Sequence, residues 1–489
     1  MTAAGAGDAR VIEPFGAPVD AAIRVPGSKS LTNRHLVLAA LARGRSTLRG
    51  ALASDDCDRL VNALELLGAR ITRSADGTVL EIEGVDGRPR GGARLDLGDG
   101  GTPSRFMLAV AALAREETIV DGSARMRERP VAEGVALLEA LGARARIEGP
   151  AGGLPVAMRG AADGGLPGGA VEVGRTASSQ FISALMLVAP WTARGVAIRF
   201  REEPTSASYL ALSLAALAAW GVDARVAYGP TPLGAGPGAG LRSIEVPAGP
   251  PAARNLEVEP DLSSAVYPAA LAALVGGRVR LEGIGRRSAQ PDAWFLDDLA
   301  LRGAKVAEVV DDASDGLPRG DAAANGSPSI EASLELSLES SLEVRGSGRI
   351  VAVDADYSRA PDAAVMAMVV AACADRPSRF TGLGTLRVKE SDRIASVAAG
   401  LEALGGRVES GPDWAVVHPL PKTLVPATID TARDHRIAMA FAVLGAARAG
   451  VTIARPEVVE KSWPGFWAAF EGLRGDLPPQ GVFPQNAER

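Results

Sequence analysis

Leu36–Gly50 reads LVLAALARGRSTLRG, and a little further on Val61–Ile71 reads VNALELLGARI. The first is an apolar run of helical length, a polar and glycine break, and a short alternating strand; the second is a helix stopped by Gly68 and followed by a strand. Both patterns return along the chain in the same order. The first recurs as FMLAVAALAREETIVDG (Phe106–Gly122), LMLVAPWTARGVAIRF (Leu185–Phe200), YPAALAALVGGRVRLEG (Tyr267–Gly283), MAMVVAACADRPSRFTG (Met366–Gly382) and FAVLGAARAGVTIARP (Phe441–Pro456), which makes six copies. The second recurs at Val135–Ile147, Leu214–Val226, Leu296–Val306 and Ala398–Val408. Its stop glycines, Gly68, Gly142, Gly221, Gly303 and Gly405, are separated by 74, 79, 82 and 102 residues. Glycine at such a stop predicts a left-handed helix cap. The long last gap contains a polar, biased stretch, residues 311–341, expected to be an inserted loop.

Six units of helix, strand, helix, strand, strand predict an α/β protein of two domains with three repeats each, divided as residues 24–255 and residues 1–23 plus 256–489. Length agrees, because 489 residues exceed what one core accommodates. With 47% hydrophobic residues, and 57 Gly and 33 Pro, the chain is rich enough in apolar surface to fold and too varied to be low-complexity. A net charge of −6 argues against nucleic acid or an anionic membrane as the main partner. Cys57 and Cys373 are too few for a disulfide framework. No apolar stretch is long enough to span a bilayer, and MTAAGAGDAR does not read as a signal peptide, so a soluble, cytoplasmic protein is expected.

The repeat also indicates where chemistry gathers. Just before the first helices stand GSKSLTNR (Gly27–Arg34), DGGTPSR (Asp99–Arg105), RTASSQ (Arg175–Gln180), PDLSSA (Pro260–Ala265), APDAA (Ala360–Ala364) and RDHR (Arg433–Arg436). Helix N-termini offer free N–H groups and a positive dipole end, so they suit anions. Serine and aspartate there serve equally well as ordinary N-caps. Lys29, Arg34 and Arg436 are different, because a cation opposes the dipole. The loops before the second helices add SARMRERP (Ser123–Pro130), PTSASY (Pro204–Tyr209), RVKESDR (Arg387–Arg393) and VVEKSWP (Val458–Pro464). Lys29, Arg34, Arg125, Lys389, Arg393, Arg436 and Lys461 in an acidic protein point to small, highly anionic substrates. GSKS lacks the spacing of a nucleotide phosphate loop, DGGTPSR belongs to no dinucleotide fingerprint, and the three histidines show no metal-ligand spacing. No cofactor and no metal are expected.

GSKSLTNR, RVKESDR and DHRIAM together resemble the 5-enolpyruvylshikimate-3-phosphate synthase family, over nearly the whole chain apart from its first ten or so residues, the 311–341 stretch and the tail. The resemblance implies two domains of three β-α-β-α-β-β units, an inside-out α/β barrel arrangement, with the active site in the interdomain cleft. It implies transfer of the enolpyruvyl group of phosphoenolpyruvate to the 5-hydroxyl of shikimate 3-phosphate. Shikimate 3-phosphate would be held by Lys29, Ser30, Arg34, Ser178, Ser179, Gln180, Ser206, Tyr209, Asp362 and Lys389. Phosphoenolpyruvate would lie against Lys29, Gly101, Arg125, Gln180, Arg393, Arg436 and Lys461. Asp362 and Glu390, with Lys29 and Lys389, would carry the proton transfers, without a cofactor and in a monomer. Because Arg125 falls in the second repeat and Arg393, Arg436 and Lys461 in the fifth and sixth, the second pocket would be completed by closure after shikimate 3-phosphate binds. Asp99, Phe106, Ser208 and Thr385 depart from the family's usual Asn, Pro, Pro and Asn, and a carboxylate at Asp99 would need an arginine or a proton beside an anion. UDP-N-acetylglucosamine enolpyruvyl transferase is the nearest alternative, but that family has a cysteine in the loop matching Asp121–Pro130 and this chain has none. A non-catalytic binder of phosphorylated metabolites is the other alternative, and it would have no need of Asp362 and Glu390 beside the cations.

Overall fold

The computed structural model describes residues 9–161, 164–229, 240–310 and 340–475. They fall into two compact units, Gly27–Val258 and the described residues of Met1–Pro26 with Glu259–Arg489. Of the inserted loop expected at 311–341, residues 311–339 lie outside the described residues. Ser340 and Ser341 instead open the strand Ser340–Gly346 and are buried there.

Among the described residues each repeat forms its own small sheet, and five of these six sheets share one topology. In the second repeat, strand Arg94–Asp96 runs parallel to Thr118–Asp121, which pairs antiparallel with Val156–Arg159, and Arg144–Ile147 pairs antiparallel on the outside. The helix Gly101–Ala111 makes the crossover between the parallel strands. The first strand of each repeat is thus an addition to the five-element pattern visible in the sequence. In two repeats it comes from far away in the chain. Asn255–Glu257 pairs parallel with Arg45–Arg49 in the first repeat, and Val19–Ile23 pairs parallel with Gly277–Glu282 in the fourth. The sixth sheet has three strands, Ala427–Ile429, Val451–Ile453 and Arg10–Val11, the last taking the antiparallel place.

Helices of the first kind are apolar on every side and lie inside their units, as such composition requires. All eight residues of Ala364–Ala371 are buried, and Leu262–Val275 and His435–Ala447 pack beside one another in the same unit. Helices of the second kind are buried on one side, as Asp55–Leu66 is with Leu60, Val61 and Leu64 inward, although Ala207–Ala219 is apolar almost throughout. All five stop glycines have positive φ, from 75° to 109°. At each, the glycine N–H and the next N–H bond back into the last helical turn; Gly68 bonds Glu65 O at 2.9 Å and Ala69 bonds Leu64 O at 3.1 Å. This is the Schellman closure, repeated five times, and it turns the chain from helix into strand.

Candidate active site

In the unit 27–258 the predicted residues lie at the N-terminal ends of three inward helices, except Ser206 and Tyr209 at the start of the second-kind helix Ala207–Ala219 and Arg125 in the short helix Ala124–Arg127. Ser28 caps Lys29–Leu41, accepting from Leu31 N at 3.5 Å, and Ser178 caps Ser179–Val188, accepting from Gln180 N at 3.3 Å. Gly27 precedes the first cap because nothing larger fits: a β-carbon there would lie 1.8 Å from Gly50 O. Lys29 leaves its helix to reach Asp56 Oδ2 at 3.5 Å, a carboxylate at the start of the next helix. Arg34 is buried, donating from Nε to Ser213 Oγ at 2.9 Å, from Nη1 to Ser30 O at 3.0 Å, and from Nη2 to Ser183 Oγ at 3.3 Å and Tyr209 O at 3.1 Å. Burial lowers its pKa to about 10, and its ring neighbour is Phe106, 5.6 Å away. Ser30, Arg34 and Tyr209 are therefore brought together, with the guanidinium bonded to neutral oxygens. Ser206 begins the helix Ala207–Ala219 in the left-handed region, with φ 52° and ψ 52°, a conformation that costs a non-glycine residue about 1 kcal/mol or more.

Gln180 donates to Thr102 Oγ1 at 2.8 Å and accepts from Arg105 Nη1 at 2.5 Å, so it joins its helix to the one that begins at Gly101. A β-carbon on Gly101 would come within 2.5 Å of Arg129 Nη1, so a side chain there would displace the flexible end of that arginine. Arg125, the arginine expected beside phosphoenolpyruvate, is exposed and paired with Glu128 at 2.6 Å. Asp99 is exposed and accepts from the hydroxyl of Ser123, the cap of the short helix Ala124–Arg127. Its carboxylate rests on that hydroxyl, with the Arg59 guanidinium near enough to feel its charge.

In the other unit the predicted residues form one connected network. Asp362 Oδ1 meets Arg393 Nη1 at 2.8 Å and Lys389 Nζ at 3.3 Å, and Asp362 Oδ2 accepts from Arg436 Nη2 at 3.0 Å. Arg393 Nη2 donates to Glu390 Oε2 at 2.9 Å, and Lys461 Nζ stands 3.7 Å from Glu390 Oε1. Three of the expected loops are wound tighter than loops: Ala124–Arg127 is a helical turn, while Gly384–Val388 and Pro456–Lys461 are 3₁₀ turns that deliver Lys389 and Lys461. Burial opposes charge on Asp362, yet Arg436, Lys389 and Arg393 outweigh it and hold the carboxyl well below its usual range. Burial lowers the pKa of Lys389, only partly countered by Asp362. For Arg393, burial is outweighed by Asp434, Glu390 and Asp362, which raise its pKa.

Sequence reasoning missed the groups behind this network. Asp292, buried beneath it, accepts from Ala363 N at 3.2 Å and from the Ser263 hydroxyl. Burial and the nearby Asp362 push its pKa up to about 6. Tyr267, also buried, bonds Arg436, and burial raises its pKa against the pull of Arg436 and Arg393. Asp434 and Arg105 stand inside the quoted motifs RDHR and DGGTPSR, which was the only signal for them. Among the described residues no group of His, Cys, Asp and Glu is arranged to hold a metal.

A family model described as EPSP synthase (3-phosphoshikimate 1-carboxyvinyltransferase) matches residues 15–470. A protein named 3-phosphoshikimate 1-carboxyvinyltransferase from Methanosphaerula palustris is 37% identical over 456 residues, covering 92% of this chain and 96% of its own. One of the same name from Laribacter hongkongensis is 39% identical over 456 residues with the same shares. The solved EPSP synthase from Acinetobacter baumannii superposes with a TM-score of 0.73 at 24% identity, covering 96% of this chain and 97% of that one, which is a likeness of fold.

Proposed function

The chain belongs to the EPSP synthase family, and from that premise we propose how its own residues divide the family's reaction. The enzyme is a transferase of aromatic amino-acid biosynthesis: it moves the enolpyruvyl group of phosphoenolpyruvate to the 5-hydroxyl of shikimate 3-phosphate and releases phosphate. In the addition step the hydroxyl oxygen bonds to C2 of phosphoenolpyruvate, the hydroxyl proton leaves to a base, and C3 receives a proton. In the elimination step C3 returns a proton, the bond from C2 to the phosphate oxygen breaks, and the double bond re-forms.

Two acid–base groups meet that demand, and Asp362 and Glu390 are placed for it, each locked to Arg393. Asp362 takes the hydroxyl proton and Glu390 exchanges the proton at C3. With Arg436, Lys389 and Arg393 around it, Asp362 is ionised but a weak base. Its basicity returns as those cations turn to the substrate's negative groups, so the base strengthens when substrate arrives. Lys389, its pKa lowered by burial, shares the proton traffic.

Ser30, Arg34, Ser178, Ser179, Gln180, Ser206, Tyr209, Asp362 and Lys389 hold shikimate 3-phosphate; Gly101, Arg125, Gln180, Arg393, Arg436 and Lys461 hold phosphoenolpyruvate; Lys29 touches both. The observation that carries this reading is the pair of carboxylates built into a cluster of four cations, Lys389, Arg393, Arg436 and Lys461. Binding anions alone would leave no use for them. Purified protein should release phosphate only when both substrates are present, and UDP-N-acetylglucosamine in place of shikimate 3-phosphate should give none. Phosphate release with that sugar nucleotide, or none with the true pair, would overturn the reading. The same reading makes the enzyme a cytoplasmic monomer, to be checked by light scattering against the chain mass of 50.1 kDa.

A further inference from the structure

Arg393 is held by three carboxylates that are not equivalent. Nη1 donates to Asp362 Oδ1 at 2.8 Å and Nη2 to Glu390 Oε2 at 2.9 Å. Nε donates to Asp434 Oδ2 at 2.8 Å, while Nη2 also reaches Asp434 Oδ1 at 3.4 Å. The side chains of Asp362 and Glu390 are 17% and 18% exposed, and that of Asp434 is 0%. The Nε edge of the guanidinium thus faces a sealed carboxylate, and its Nη1–Nη2 end faces two carboxylates within reach of solutes.

A sealed carboxylate is tolerated only where its charge and lone pairs are met. Asp434 meets that condition by tying several segments to one point. It accepts from Ser391 Oγ at 3.1 Å and, as cap of the helix His435–Ala447, from Arg436 N at 3.0 Å. The loop bearing Glu390, the start of the helix Arg393–Ala403 and the first turn bearing Arg436 therefore share a single anchor. Recognition of a carboxylate by a guanidinium fork needs the plane of the fork fixed beforehand.

We infer that Asp434 is a positioning residue for phosphoenolpyruvate: it clamps the rear edge of Arg393 and the backbone of Arg436, while Asp362 and Glu390 yield the front edge to the incoming anion. The inference rests on the reading that Arg393 and Arg436 bind phosphoenolpyruvate. Asp434 touches neither substrate and makes or breaks no bond; it acts by holding two arginines where a single carboxylate can use both.

Steady-state kinetics of the full chain test it. Asp434→Asn keeps the size and the capping oxygen but removes the charge. It should raise the KM for phosphoenolpyruvate about tenfold or more and leave the KM for shikimate 3-phosphate within about twofold. In an Arg393→Lys background, which lacks the fork, the same substitution should add less than about threefold. A folded Asp434→Asn enzyme with unchanged KM for phosphoenolpyruvate, equal losses for both substrates, or full multiplication of the two substitutions would overturn the inference. If Asp434→Asn does not fold, Ser391→Ala decides: a selective rise of about threefold supports the anchor, and no change overturns it. An Arg393→Lys enzyme with the parent's KM for phosphoenolpyruvate would instead overturn the underlying reading.

Discussion

Lys389 Nζ stands 3.3 Å from Asp362 Oδ1, and each member of the pair has its proton affinity lowered, the lysine by burial and the carboxylate by its cationic neighbours. A half-buried lysine that parts with its proton more readily beside a carboxylate that hardly accepts one is the pair on which the proposed proton transfers would draw.

Asp362→Asn and Glu390→Gln should each lower turnover about a hundredfold or more, the usual contribution of a general acid–base group. Titration of the Glu390→Gln variant with shikimate 3-phosphate should give nearly the parent's affinity, because Glu390 is not among the residues assigned to that substrate. Near-parent turnover in either would remove that residue from the chemistry.

Lys29→Ala should lower kcat/KM about a hundredfold or more, since it removes charge-assisted bonds to both substrates. The fold should survive, although Asp56, its partner at 3.5 Å, is left buried without a cation. Restoring melting temperature with the double variant Lys29→Ala, Asp56→Asn, without restoring activity, separates the two roles. Recovery of activity in the double variant would make Lys29 a structural residue.

Asp292 supplies a pH effect of definite sign. Its folded pKa, about 6, lies above the ordinary carboxyl value. Its contribution is therefore fully present below the unfolded pKa near ~4 and is lost as pH rises toward about 6. Asp292→Asn abolishes that loss, so its stability relative to the parent should be greater at pH 7.5 than at pH 4, by about 2–3 kcal/mol. Denaturant melts at the two pH values measure it, and a difference independent of pH would show that Asp292 is not raised.

Ser206 is strained by its φ of 52° and is also assigned to shikimate 3-phosphate. Ser206→Gly relieves the backbone but deletes the hydroxyl. The variant should be as stable as the parent or more so, while binding shikimate 3-phosphate about fivefold or more weakly. Calorimetry against the parent would expose the opposite pattern, unchanged affinity with lost stability, if the hydroxyl were only structural.

Much of this was legible because it depends on local rules. A glycine ending an amphipathic run has one physical reason to be there, and Gly68, Gly142, Gly221, Gly303 and Gly405 all adopt the left-handed conformation expected. Arg436 stood out because it opposes the helix dipole, and Lys389, Arg393 and Lys461 because charged loops recur at one position of the repeat; the four do share one network. What stayed hidden depends on partners distant in sequence. Asp434 reads as an ordinary N-cap until Arg393, 41 residues away, is seen against it. Arg105 reads as a helix residue until Gln180 meets it across 75 positions. The first strand of each repeat came from the family resemblance and not from the repeat pattern, because stretches such as Arg94–Asp96 are too short to show alternation.

The strand Val19–Ile23 has consequences in time as well as in space. Its partner begins at Gly277, and Arg10–Val11 waits for Thr452 and Ile453. A ribosome adding about 5–20 residues per second needs on the order of ten to fifty seconds to make the intervening chain to Gly277. Throughout that interval the unit 27–258 gathers its own described strands in order of synthesis, while Val19–Ile23, made before it, waits for its partner. The strand Val19–Ile23 therefore leaves the ribosome before the unit 27–258 and is secured only after it, and any chaperone dependence of this enzyme should concentrate on that strand and its neighbours.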